Sequence, residues 1–129
     1  MKQLNFQEKY PITVLDIKKS GTQYESAEQI ADYFKRCIEE APRVSYITMF
    51  DHLAHSREIE GDVAPDIQAA INVVFCFGRA LPNPFVLAVR PRSIGIADMG
   101  DHFVVSFMDA PQAPANEAMR AWALALRNS

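Results

Sequence analysis

The segment Ile71-Asn72-Val73-Val74-Phe75-Cys76-Phe77 is apolar at nearly every position and stops at Gly78. Val73, Phe75 and Phe77 alternate with Val74 and Cys76, the pattern of a central strand covered on both sides. Such a strand needs paired neighbours and a layer of helices, and the rest of the chain can be searched for both.

Four neighbouring strands are legible. Tyr10 to Lys19 is rich in Ile, Val, Thr and Leu after Pro11 and ends at the turn signal Ser20-Gly21. Val44 to Phe50 alternates, with Val44, Tyr46, Thr48 and Phe50 expected on one side and Ser45, Ile47 and Met49 on the other. Ser93 to Asp98 and His102 to Met108 alternate as well, and Met99-Gly100-Asp101 between them is hairpin length.

The covering layer comes from two helices. Ile30, Tyr33, Phe34, Cys37, Ile38 and Ala41 recur at spacings of three and four, while Glu28, Asp32, Lys35, Arg36, Glu39 and Glu40 take the other face. Ser26 with Gln29 forms a capping box and Pro42 stops the ladder, which sets the helix at about 27–41. At the other end, Asn116 to Arg127 places Met119, Trp122, Ala123 and Leu126 on one face, with Pro114 or Ala115 as its start. The expected order is β-α-β-β-β-β-α: an α+β fold in which an antiparallel sheet carries two helices on one face. At 129 residues the chain (1–129) makes one domain around one core.

Charge narrows the function. Thirteen Lys and Arg against sixteen Asp and Glu leave a net charge of −3, so no general attraction for nucleic acid or an anionic membrane is expected. Met1 to Lys9 lacks the apolar core of a signal peptide, and no apolar run approaches the roughly 18 residues of a membrane span, so the expected location is the cytoplasm. Cys37 and Cys76 lack CxxC spacing and lie among apolar residues, which points to reduced packing residues rather than a disulfide. Without GxGxxG, GxxxxGK[ST] or GxSxG, dinucleotide, nucleoside-triphosphate and ordinary serine-hydrolase chemistry lose their sequence support, and the sequence leaves any cofactor unknown.

The segments Phe50-Asp51-His52, Phe75-Cys76-Phe77-Gly78 and Pro82-Asn83-Pro84, in this order of strands, resemble the bacterial domain-of-unknown-function 302 family or a close sister of it. The resemblance covers roughly residues 44–111. It implies a β-α-β4-α fold similar to a half-repeat of the TATA-box-binding protein. This chain departs from the family's Phe-Gly-Asn-Pro turn by inserting Arg79, Ala80, Leu81 and Pro82 before Asn83-Pro84. The family carries no activity to transfer, and a likeness of fold does not imply DNA binding in an acidic chain.

Two loops concentrate the side chains capable of chemistry. Arg79 to Arg92 is stiffened by Pro82, Pro84 and Pro91, and its arginines offer planar forks of donors suited to carboxylate or phosphate. In an extended Arg90-Pro91-Arg92 segment both guanidinium groups project the same way. The plain alternative is surface pairing with Asp62, Asp66, Asp98 or Asp101. A small anionic or partly apolar ligand held by Arg79, Asn83, Arg90, Arg92 and His52 is the leading expectation, without catalysis. Asn83, between two prolines, also suits a plain turn.

The other loop runs from Asp51 to His55. On a helical turn capped by Asp51, His52 and His55 share a face and could bind a divalent metal with the carboxylate, as an enzyme or a sensor. Capping alone also accounts for Asp51. A third expectation is a homodimer through the alanine-rich last helix, where Ala118, Ala121, Leu124 and Ala125 leave one side with little charge.

Overall fold

A computed structural model describes residues 1–78 and 80–128. Its elements are β1 (Lys2–Phe6), β2 (Tyr10–Lys18), α1 (Ala27–Glu40), β3 (Ser45–Asp51), α2 (His52–Glu58), β4 (Ala69–Cys76), β5 (Arg92–Asp98), β6 (His102–Met108) and α3 (Ala113–Leu124). The strands form one antiparallel sheet in the order β1-β2-β6-β5-β4-β3. The expected β-α-β4-α order is present, with β1 added at the edge and α2 added after β3.

β4 is an interior strand, and its residues Ile71, Val73 and Phe75 are buried in the core with Ile94, Ile96, Phe103, Val105 and Phe107 of the next two strands. α1 closes this face with Ile30, Ala31, Phe34 and Ile38, and α3 adds Met119 and Ala123. Each buried Phe, Ile, Leu or Met side chain contributes about 1.5–3 kcal/mol, so this single face dominates the stability. The Tyr33 hydroxyl donates to the Trp122 carbonyl at 2.6 Å and ties α1 to α3. Burial, with the neighbouring Cys37 thiol, raises the pKa of that hydroxyl well above its ordinary value, so it remains a donor.

Ser26 accepts from the Gln29 amide at 3.1 Å, and the Gln29 side chain accepts from the Glu25 amide, which fixes the start of α1. The β5–β6 hairpin turns at Gly100, whose φ of +98° suits glycine, and Asp98 accepts from the Gly100 amide.

Four details differ from the sequence reading. The register of β3 against β4 shifts between Tyr46 and Thr48, so Ile47 is an extra residue. This bulge resets the alternation: Val44, Tyr46 and Met49 pack on the core, while Thr48 and Phe50 pair with Val74 and Asn72 on the opposite face. β4 is covered by helices on one face only, because Val74 and Cys76 look toward the open side and are half-buried. α3 starts earlier than expected, at Ala113, with Pro114 in its first turn. β1 lies within the first nine residues, where no strand is expected from the sequence, and all five of its residues are exposed.

Candidate functional site

One end of the sheet gathers the exit of β4, the entry of β5, the exit of β6 and the start of α3. Gly78 follows β4, Arg90 precedes β5, Arg92 opens it, and Ala110 to Gln112 lead into α3. Between Gly78 and Arg90 the chain runs outward through a short 3-10 segment, Pro84–Val89. Asn83 caps that segment by accepting from the Phe85 amide at 2.9 Å. The turn explanation accounts for Asn83, whose oxygen is engaged there.

Arg90 and Arg92 line one cleft of about 120 Å³ together with Phe77, Val86, Val89 and Gln112. Arg90 and Arg92 thus border one space. Each has one carbonyl partner: Arg90 donates to Ala80 at 2.7 Å, and Arg92 donates to Met108. A guanidinium carries five N–H donors, so each retains others.

The two are not equivalent. Arg92 lies near the Asp109 carboxylate, which is itself held by the Thr13 hydroxyl at 2.7 Å. Burial lowers the pKa of Arg92, and Asp109 opposes that shift. Arg90 lies across Gly78, where an added Cβ would stand 2.0 Å from the guanidinium carbon. Glycine is what lets the Arg90 head group lie flat on the strand end.

Neither arginine pairs with Asp62, Asp66, Asp98 or Asp101. Among the described residues the ion pairs are Lys19–Asp98 at 2.9 Å and the contacts of His102 with Asp101 and Asp16. Arg79 lies outside the described residues.

The third component is the N-terminus of α3. Gln112 occupies the cap position, and among the described residues no side chain caps this helix. Gln112 and Ala115 both line the cleft, so the start of α3, the positive end of its dipole, borders the same space as Arg90 and Arg92. A second compartment of about 530 Å³ adjoins it, sharing Phe77, Gly78, Arg90, Gln112 and Ala115. Arg43 and Trp122 line this larger space, and among the described residues no acidic side chain lines either one. Arg43 joins α1 to β3 with φ of +64°, a conformation rare for a residue with a side chain.

Asp51, His52 and His55 lie at the opposite end of the sheet. Asp51 caps α2 by accepting from the Ala54 amide at 2.9 Å. The His52 and His55 rings stand 6.0 Å apart, and both pack against Phe50, at 5.4 and 5.3 Å. Among the described residues no three His, Cys, Asp or Glu side chains group in a way that could hold a metal. His52 instead borders a depression of about 160 Å³ on the open face of the sheet, with Asn72, Gly95 and Ser106. These three residues also line a broader depression of about 500 Å³ that reaches Arg92. The two loops thus border neighbouring parts of the open face without converging on one cavity.

Arg43 and Trp122, which line the larger compartment, and Gln112, which lines both spaces, gave no sign in the sequence of this placement. Trp122 has the spacing of a core residue and is half-buried, and its other role emerges only where α3 meets the end of β4. Ala121 and Leu124 on α3 and Ala125 at its end are exposed, whereas Ala118 borders the larger compartment.

Fold and site together define a single-sheet α+β domain with a basic cleft at one end of the sheet. The chain belongs to a family of unknown function, DUF6858, which matches residues 1–128. No curated protein matches the chain. Among the described residues no helix is long and apolar enough to cross a membrane.

Proposed function

We propose that this protein is a non-catalytic binding domain for a small anion, held between Arg90, Arg92 and the start of α3. The observation that carries this reading is that two arginines and the start of α3 line one cleft where, among the described residues, no side chain caps the helix and no acidic side chain forms a wall. Both kinds of group favour carboxylate or phosphate, through charge-assisted hydrogen bonds and through the helix dipole. Arg90, which pairs with no carboxylate among the described residues, supplies most of the attraction, and Arg92, partly offset by Asp109, positions it. The described lining consists of guanidinium, amide and apolar groups, which suits binding rather than proton transfer.

Kinship with the domain-of-unknown-function 302 group belongs to the same reading and is supported by the β-α-β4-α order. A cytoplasmic setting is supported by the two half-buried free thiols, Cys37 and Cys76, which suit a reducing compartment.

Thermal unfolding with inorganic phosphate and with acetate tests the proposal. At a concentration about 100-fold above Kd, an anion that binds only the folded state adds about 2.7 kcal/mol and raises Tm by several degrees. Arg90→Ala removes the rise. If neither anion shifts Tm in the wild-type protein, or the shift persists in Arg90→Ala, the cleft is not an anion site.

A further inference from the structure

We propose that the larger compartment beyond Arg90 receives the flat apolar body of an aromatic carboxylate, whose carboxylate group sits in the arginine cleft. This rests on the anion-binding reading above and names the class of ligand.

The arginine cleft, about 120 Å³, admits a carboxylate and little more, whereas the adjoining compartment of about 530 Å³ lies within the range of small-molecule pockets. Arg90 and Gly78 line both spaces, so a molecule bonded to Arg90 has its remainder directed into the larger one.

Phe77 and Trp122 stack with centroids 5.7 Å apart and planes inclined by 10°, and both line the compartment beside Pro42 and Pro114. Rigid, planar walls favour a planar occupant over a flexible chain, which loses more conformational freedom on binding.

Arg43 and Arg90 both line the compartment, and among the described residues no acidic group does. A guanidinium stacks on aromatic faces as well as binding carboxylates, so these two side chains suit a ring that carries an anion.

Trp122 is the only tryptophan, so the protein gives one indole N–H signal in a nitrogen-15 correlation spectrum. The test titrates 2-naphthoate, decanoate and acetate into the full chain, following that signal and measuring affinity by calorimetry. The expected result is a saturable displacement of the Trp122 signal by 2-naphthoate, with affinity at least tenfold above both acetate and decanoate, and loss of binding in Arg90→Ala. If acetate binds through Arg90 but 2-naphthoate binds no tighter than decanoate, or leaves the indole signal in place, the aromatic assignment is overturned while the anion site stands. If none of the three binds, both readings fall.

Discussion

At the scale of single residues, two glycines separate packing from function. At Gly78 an added Cβ collides with the Arg90 guanidinium, the movable end of a long side chain. Gly78→Ala is therefore expected to displace Arg90 while the sheet stays folded, and to weaken phosphate binding at least tenfold with a change in stability below about 1 kcal/mol. At Gly95 the nearest atoms to an added Cβ stand 3.6–3.7 Å away, which is ordinary contact. Gly95→Ala should leave phosphate affinity unchanged and match or exceed wild-type stability, since glycine within a strand weakens it. Calorimetry and denaturant unfolding of the two variants check the pair; equal phosphate affinity in both would show that Arg90 has no part in binding.

His102 gives a prediction of pH dependence. Its Nδ1 lies 2.6 Å from an Asp101 oxygen, and its Nε2 lies 3.9 Å from Asp16. The hydrogen bond to Asp101 raises the His102 pKa above the ordinary 6.5 and lowers that of Asp101 below 3.8. The histidine contribution to stability is complete below pH 6.5 and is lost as pH rises through the raised folded value. The aspartate contribution is complete above pH 3.8 and is lost as pH falls through the depressed value. Because the pair is exposed, salt weakens it. An NMR titration of the His102 ring should give a pKa above 6.5 that falls in Asp101→Asn. An unchanged value in the variant would show that Asp101 is not the cause.

At the scale of elements, legibility followed burial. α1 was readable to within a residue, because its buried stripe and capping residues agree on one start and one end. The β5–β6 hairpin was readable for the same reason, since its alternation matches a sheet with one covered face. β1 left no signal because all five residues are exposed, so no hydrophobic period marks it. The bulge at Ile47 was invisible for a different reason: an unbroken alternation in sequence gives no sign of the inserted residue that reverses it. As for α2, Asp51→Ala removes the oxygen that accepts from the Ala54 amide and should cost about 1 kcal/mol. Thermal unfolding checks this, and a stability equal to wild type would mean that the cap bond does not form in solution.

At the scale of the whole molecule, the sheet keeps the two loops at opposite ends. The arginine loop meets the start of α3, and the Asp51–His55 segment becomes the start of a helix packed near Phe50. The arginines were legible as candidates because guanidinium groups in a proline-rich loop stand out from any core pattern. Their companions were not: the exposure of the α3 N-terminus, the position of Arg43 and the placement of Trp122 depend on how α1, β4 and α3 end together. An acidic chain of net charge −3 still presents a local basic cleft, because the described lining has no carboxylate.

Under the proposed function, Arg90, Arg92 and the start of α3 bind one anion together. The direct measurement is a titration of inorganic phosphate into nitrogen-15-labelled protein, following the arginine Nε–H signals and the backbone amides. Saturable displacement of Arg90 and Arg92 together with the Ala113 and Ala115 amides, all fitting one Kd, is the predicted result. Displacements that grow without saturation, or that saturate elsewhere while these four signals stay in place, would contradict it.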